Sequence, residues 1–406
     1  MLQELQIGGT SLGERRDIVI AGAGIGGLTA ALALAARGFR VIICERADKL
    51  SEIGAGIQLS PNVGRILASL GLDKAIAAAA TEPAAIDIRS GPSGRLLTSI
   101  PLEAVRRRYG FPWRVIARAE LQAVLVAAAA TNSMIELRLG TNVVDLAAGA
   151  DDLLLGTETR TGRTIQPAAA LIAADGVLSQ LRDRIPGAKA ARPIGRTAWR
   201  ATIPTRALEN IIPAMRSGLW LGADAHLVHY PIAGGRTINI IAIVAEDWKG
   251  VGWSEPGDAY RLAESFAGWS ATVRAIIGAP AEWRKWAILA VDSEGAWVND
   301  RMALLGDAAH AMPPFIAQGA AMAIEDAAVL AACFAATPDD AALALRAYET
   351  ARRPRVARVS DAAFKTGEHY HHGQPLAALR NAALRLAGWR LVLGKNDWIY
   401  EWKLEA

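Results

Sequence analysis

Asp17-Ile18-Val19-Ile20-Ala21 is a short, β-branched apolar run of the kind that fills a buried parallel strand. Residues Gly22 to Gly27 interrupt it. The Ala- and Leu-rich stretch from Leu28 to Arg37 predicts a helix, Gly38 ends it, and Arg40-Val41-Ile42-Ile43-Cys44 predicts the next strand. Ser60-Pro61 predicts a second helix start, with Ser as N-cap and Pro in the first turn, running to about Gly71. From residue 84 the texture changes. Ala85-Ile86-Asp87-Ile88-Arg89 alternates and Gly91-Pro92-Ser93-Gly94 is a turn, so a hairpin is predicted. Glu120 to Ala130 reads as helix, and Leu153-Leu154-Leu155 and Leu171-Ile172-Ala173-Ala174 as strands. Between residues 190 and 245, alternating runs such as His226 to Ile232 and Thr237 to Val244 are separated by turn signals at Gly222 and Gly234-Gly235, the pattern of antiparallel sheet. After Met302-Ala303-Leu304-Leu305 come helices at about residues 319 to 335 and, at the tail, 376 to 393.

Composition narrows the class. The chain has 406 residues, 52% hydrophobic, enough for two cores or for one large α/β domain with an insert. Its 44 basic and 40 acidic residues leave a formal net charge of only +4, and the basic residues are scattered apart from Arg106-Arg107-Arg108 and Arg352-Arg353. A nucleic-acid surface would need a concentrated stripe, so no nucleic-acid partner is expected. Two cysteines, Cys44 and Cys333, sit in apolar stretches and read as small buried hydrophobes in a reducing compartment. Met1 to Arg16 lacks the charged start and apolar core of a secretory signal. No run approaches the roughly 18 to 20 uninterrupted apolar residues that a membrane span needs. A soluble, cytoplasmic protein is expected.

The chemistry begins at Gly22-Ala23-Gly24-Ile25-Gly26-Gly27. Gly22, Gly24 and Gly27 occupy the positions of a dinucleotide loop, for a tight turn, for close approach of a pyrophosphate, and for helix–strand packing. The helix that follows offers N–H groups and a positive dipole end to phosphates. Glu45 closes the next strand, where an acid accepts hydrogen bonds from an adenosine ribose. Two further motifs follow strands. One is Asp175-Gly176-Val177-Leu178-Ser179-Gln180-Leu181-Arg182; the other is Leu305-Gly306-Asp307-Ala308-Ala309-His310, with Pro314 and Gln318-Gly319 beyond it. Asp307 is placed to hold ribityl hydroxyls, and the helix starting at residues 318 to 320 aims N–H groups at an anion. Arg118, just before a helix expected to start near Glu120, is within reach of phosphates or ribose. The nucleotide-domain pattern is interrupted by sheet. The predicted fold is therefore α/β: a discontinuous Rossmann-like FAD-binding domain (1–83, 105–189 and 287–370), a substrate part (hairpin 84–104 and mostly antiparallel sheet 190–286), and a C-terminal helical segment, 371–406.

Together these residues resemble the single-component FAD-dependent aromatic hydroxylases that share the fold of p-hydroxybenzoate hydroxylase, and within them the salicylate, 3-hydroxybenzoate and 6-hydroxynicotinate hydroxylases. The resemblance runs through the loop Gly54-Ala55-Gly56-Ile57-Gln58-Leu59-Ser60-Pro61-Asn62, the run from His226 to Pro231, and the closing Asp397-Trp398-Ile399-Tyr400. It implies FAD contacts at Gly22, Gly24, Gly26, Gly27, Glu45 and Arg46. Further contacts are implied at Gln58, Arg118, Asp175, Asp307, Gly319 and Ala320. It implies that NADH, or NADPH, reduces the flavin, that oxygen adds to give a flavin hydroperoxide, and that a small aromatic acid or phenol is hydroxylated by it.

Such a ring is activated by deprotonating its phenol, a task for a base poised near the working pH. His226 and Tyr230 are four residues apart on a predicted strand and share a face with Val228, whereas His229 points the other way. His226 is the expected base and Tyr230 the orienting hydroxyl, with Gln318 a third catalytic candidate and Pro314 a substrate contact. Gln58 stands where the hydroxynicotinate hydroxylases carry a histidine, and reads as a flavin contact. His369, His371 and His372 read as a solvated loop, with no partner set for a metal. Within the flavin class the alternative is an epoxidase or a hydroxylase of a larger polycyclic substrate. Outside it stand a nicotinamide-dependent dehydrogenase, which leaves Asp175 and Asp307 unexplained, and a non-catalytic flavin-binding module. A monomer or homodimer is expected.

Overall fold

The computed structural model describes residues 17–50, 56–149, 152–250 and 252–404. Met1 to Arg16 and the Gly54-Ala55 pair lie outside them.

Strand Ile18–Ala21 lies at the centre of a six-stranded sheet. It pairs in parallel with Val41–Glu45 on one side and Ala170–Ala173 on the other, Ile18 standing opposite both Val41 and Ala170. Ile135–Leu139 extends the sheet beyond Val41–Glu45, and Met302–Leu304 extends it beyond Ala170–Ala173. A parallel sheet covered on both faces requires apolar residues throughout, and Ile18, Val19, Ile20 and Ala21 are all buried. Helices Ile25–Ala35 and Gly319–Ala336 pack on each other, and both are rich in buried alanine and leucine. Helix Gly319–Ala336 is long and apolar enough to cross a membrane by length and composition. Here it is a core helix, and its two acids, Glu325 and Asp326, are buried against arginines of the next helix.

The second body is an eight-stranded sheet ordered Ser254–Gly257, Trp283–Ala290, Arg192–Pro204, Thr237–Ala245, Ala225–Ile232, Arg216–Leu221, Ala85–Ser90, Leu96–Pro101. Every pairing is antiparallel except that of Arg216–Leu221 with Ala85–Ser90. One face packs on helices Ala259–Ser265 and Ala271–Gly278 through Trp199, Leu227, Ile240 and Val273. The other face looks toward the nucleotide sheet. A small meander, Asn142–Ala148, Leu153–Thr159 and Gly162–Ala168, forms a separate three-stranded sheet. The triple leucine at 153 to 155 therefore belongs to this sheet and not to the nucleotide sheet.

Helix Ala341–Tyr370 packs on Gly319–Ala336, and Leu376–Gly394 follows, kinked at Gly388. The histidine trio departs from the expected loop at two positions, while His372 does lie in loop. His369 is inside the long helix and His371 is its buried C-cap. Burial of an imidazole demands a polar partner, which His371 finds in the substrate sheet, as described next.

Candidate active site

Strand Ile18–Ala21 ends at Gly22, whose φ of +106° and close approach to the Ala174 carbonyl exclude any side chain. Gly24 is the N-cap of helix Ile25–Ala35 and has no side chain to cap it. A Cβ built at Gly24 would meet nothing within 4 Å, because the position faces open cleft. Gly27 lies one turn in, where a Cβ would strike the Gly22 carbonyl. The bare helix N-terminus is thus held open at Gly24 and held close at Gly27. Glu45 braces the loop: Oε2 accepts from the Ala23 N–H at 2.9 Å and Oε1 from the Ala47 N–H at 2.9 Å.

The second and third motifs converge on the same cleft through Arg182. This buried guanidinium donates from Nε to the Ala308 carbonyl at 2.7 Å and from Nη2 to the Val177 carbonyl at 2.8 Å. It stitches the loop after Asp175 to the turn after Asp307, which explains the arginine in the sequence pattern. Burial lowers its pKa, opposed by Asp175, Asp183 and Asp307. Asp175 Oδ1 is buried without a partner, and burial raises this carboxyl above its ordinary range. Asp307 is exposed to the cleft, at the start of the short helix Asp307–His310.

Two cavities make up the cleft. One, of about 460 Å³, is lined by Gly22, Glu45, Arg46 and Asp175 among others. The other, of about 310 Å³, is lined by Gly26, Gln58, Pro314, Gly319 and Ala320 on one side and by His226, Val228 and Tyr230 on the other. Gly24, Arg118, Arg200, Trp286 and Asp307 border both, so the two are continuous. Arg118 belongs to the helix, opening Arg118–Ala130, rather than preceding it. The residues present fit an extended flavin dinucleotide. A cradle that a side chain would fill, an uncapped helix N-terminus and an orphaned carboxylate oxygen lie along one continuous cleft.

The sheet supplies the opposite wall by register. His226 pairs with Ile243, Ile243 with Ala198, and Ala198 with Trp286. One step along, Val228 pairs with Ile241 and Ile241 with Arg200. Paired residues share a face, so His226, Val228, Tyr230, Arg200 and Trp286 all look into the cavity. His229 lies on the other face, stacked over Gly218. Tyr230 is buried against Gly56, where no Cβ would fit, and burial raises its phenol pKa.

Gln318 is not brought to the cavity wall. Its amide donates to Ser60 Oγ at 3.0 Å and accepts from Asn62 Nδ2 at 3.2 Å, in the seam with helix Pro61–Ser69. Both halves of the amide are engaged there, which removes it from the substrate contacts and catalytic groups expected from the sequence. Its neighbours Ala317, Gly319 and Ala320 do line the cavity.

Two residues enter instead: Arg200, which the sequence left unremarked, and His371, which it read as part of a solvated loop. Arg200 lies over the Trp286 ring at 5.2 Å, its Nε buried without a partner, and burial lowers its pKa. Cross-strand register was needed to find it, and no single-strand pattern carries register. His371 Nε2 lies 2.7 Å from His226 Nδ1. The His226 ring is also edge-on to Phe315 at 5.6 Å and to Tyr370 at 5.4 Å. Burial, then His371 and Arg196, pushes the His226 pKa well below its ordinary value.

This architecture, a nucleotide sheet facing an inserted antiparallel sheet across one cleft, defines a FAD-dependent aromatic-ring monooxygenase. Residues 15–363 match the family described as FAD binding domain, and the chain belongs to that family. It is 33% identical to 3-hydroxybenzoate 6-hydroxylase of Klebsiella oxytoca over 390 residues, 95% of this chain and 96% of the relative. To 3-amino-4-hydroxybenzoate 2-monooxygenase of Streptomyces platensis it is 35% identical over 393 residues, 95% and 96% of the two chains. Among solved structures, HpxO of Klebsiella pneumoniae in complex with FAD and uric acid superposes with a TM-score of 0.82 at 28% identity, covering 96% of this chain and 98% of that one.

Proposed function

We propose that the protein hydroxylates a one-ring aromatic acid carrying a phenolic hydroxyl, of the hydroxybenzoate kind, with NADH or NADPH as the reductant. The observation that carries this reading is the sheet wall. His226, Tyr230 and Arg200 face one cavity of about 310 Å³ across from the glycine-lined cradle. The relatives named for 3-hydroxybenzoate and 3-amino-4-hydroxybenzoate support it.

Bound FAD, once reduced by the nicotinamide, supplies the oxygen chemistry. The chain's own residues do the rest. Glu45, Arg46 and Asp175 line the cavity suited to the adenosine half and would hold it, Arg118 and Asp307 border both cavities, and Gln58, Gly319 and Ala320 line the one suited to the flavin ring. Arg200, a cation with no acid partner among the described residues, attracts the substrate carboxylate. Charge-assisted hydrogen bonds of this type contribute about 1.5–3 kcal/mol. His226 Nε2 takes the phenol proton, which makes the ring electron-rich where it is to be attacked. Tyr230 and Pro314 fix the ring's plane, and Val228, Ile241 and Ile243 exclude water.

The test is a screen of hydroxybenzoates, aminohydroxybenzoates and hydroxypyridine acids for stimulated NADH and NADPH oxidation by the FAD-reconstituted protein, with product identification. A phenolic acid is expected to stimulate oxidation and to emerge hydroxylated. His226→Gln is expected to bind it while losing product per NADH consumed. Stimulation by no one-ring acid would overturn the reading.

A further inference from the structure

The His226–His371 contact gives the buried base an exit. His226 sits in the wall of the cavity, and its Nδ1 is 2.7 Å from His371 Nε2. The two rings are tilted by 33° with centroids 4.9 Å apart, a side-by-side hydrogen-bonded pair rather than a stack. His371 caps helix Ala341–Tyr370, and the chain then turns outward through half-buried His372 to exposed Gly373 and Gln374. The His371 backbone is pinned as well: its N–H donates to the Gly367 and Glu368 carbonyls, and its carbonyl accepts from the Asp224 N–H.

Resting on the reading of His226 as the base, we propose that His371 sets the tautomer of His226 and passes its proton outward, so that the substrate's phenolic proton leaves the cavity through two imidazoles. With Nδ1–H on each ring, His226 Nδ1–H donates to His371 Nε2, and His226 Nε2 is left as an acceptor facing the substrate. The phenol O–H bond breaks as His226 Nε2–H forms. His226 Nδ1–H breaks as His371 Nε2–H forms, and His371 Nδ1 releases its proton to solvent. Each ring ends neutral with its proton on the other nitrogen. When the product phenol takes a proton back, the same transfers run in reverse and both rings are reset. No imidazolium persists in the cavity.

The surroundings explain why a second ring is needed. The groups packed round the pair are Phe315, Tyr370, Arg196 from strand Arg192–Pro204, and Arg380 from helix Leu376–Gly394. Asp224 lies beside Arg196, and Tyr230 and Arg200 line the same cavity. Burial, then Arg196 and Arg380, lowers His371 to about 3. Burial and Arg196 disfavour a second proton on His226, and burial, Arg196 and Arg380 disfavour one on His371, so a lone His226 would return its proton to the phenol.

The experiment follows phenolate formation by stopped-flow absorbance. The FAD-reconstituted protein is mixed with the phenolic acid that wins the screen above, and His371→Ala and His371→Gln are compared with the wild type. Both variants are expected to bind the acid with unchanged affinity and to form phenolate at least roughly tenfold more slowly near neutral pH. Added imidazole is expected to restore the rate in His371→Ala, where it can fill the gap, and not in His371→Gln. A wild-type rate in either variant, or slowing in His371→Ala that imidazole leaves untouched, would overturn the relay. Should His371→Ala fail to fold, His371→Gln decides by its rate and affinity alone. His226→Gln separates the two claims. If it forms no phenolate while His371→Gln behaves as wild type, the base stands and the relay falls; if it forms phenolate normally, both fall. A screen that yields no phenolic substrate overturns both.

Discussion

At the scale of the residue, the glycine loop separates two functions that its pattern merges. Gly27 keeps the helix against the strand, whereas Gly24 keeps the cleft clear. Gly24→Ala is therefore expected to fold with an unchanged melting temperature as apoprotein and to bind FAD roughly tenfold more weakly, about 1.4 kcal/mol. Gly27→Ala is expected to lose stability as well, because its Cβ would meet the Gly22 carbonyl. Flavin fluorescence titration and thermal melts distinguish the two; equal FAD affinity in wild type and Gly24→Ala would count against the cradle. Arg200 gives a second expectation at this scale. Arg200→Gln should raise KM for an aromatic acid by about ten- to a hundredfold, matching roughly 1.5–3 kcal/mol, and leave KM for the corresponding amide nearly unchanged. A similar loss with both substrates would mean that Arg200 shapes the wall without reading the carboxylate.

At the scale of the element, the turn bearing Asp307 is held from behind by buried charge. Asp326 Oδ2 accepts from the Gly306 N–H at 3.1 Å and lies 2.5 Å from His310 Nε2, and its Oδ1 accepts from Arg352 Nε at 2.7 Å. Glu325 takes Arg352, Arg355 and Asn62. Burial would raise the Asp326 pKa, but His310 and Arg352 outweigh it and hold the carboxyl below its ordinary range. A depressed carboxyl contributes stability that is present above its unfolded pKa of about 3.9 and is lost as pH falls through the lower folded value. Asp326→Ala leaves Arg352 Nε, His310 Nε2 and the Gly306 N–H without their buried acceptor, although Glu325 still holds Arg352, and is expected to cost about 3–5 kcal/mol in urea unfolding and to loosen FAD binding through the Gly306 turn. Full stability in this variant would show the network to be dispensable. This network also marks where the sequence stops being legible. Gly22, Gly24, Glu45, Asp175 and Asp307 announce themselves because each follows an apolar strand at fixed spacing. The alternation from His226 to Tyr230 shows which side chains share a face. Helix Gly319–Ala336, however, presents its acids to partners some 26 residues onward, and nothing local signals that pairing. Gln318 fails for the same reason: a polar residue at a helix start looks like a ligand until Ser60 and Asn62 arrive from another helix.

At the scale of the molecule, three imidazoles are buried in or behind one sheet. His226 and His371 form the pair at the cavity, and His229 lies under the opposite face with Nδ1 unpartnered. The trio from His369 to His372 looked like loop because loop and helix end have the same local composition. Only the packing of a 30-residue helix against a distant strand makes His371 a buried group. Burial lowers His226 well below its ordinary value, His229 to about 4 and His371 to about 3. In the unfolded chain each titrates near 6.5. Between those limits the unfolded state binds more protons than the folded one, so stability falls as pH falls. The contribution is complete above about 6.5 and declines steadily below it. At pH 5 each imidazole has lost up to roughly 2 kcal/mol, and the three together are comparable with the 5–15 kcal/mol that holds a whole domain. Urea unfolding followed from pH 7 to pH 5 is thus expected to show a steep loss well above the range where carboxylates titrate. His229→Phe, which removes one buried imidazole away from the cavity, is expected to flatten that slope by about a third without changing the cofactor spectrum. A stability profile flat between pH 7 and 5 would mean that these rings can be protonated in place, and the argument that His226 must hand its proton on would lose its physical basis.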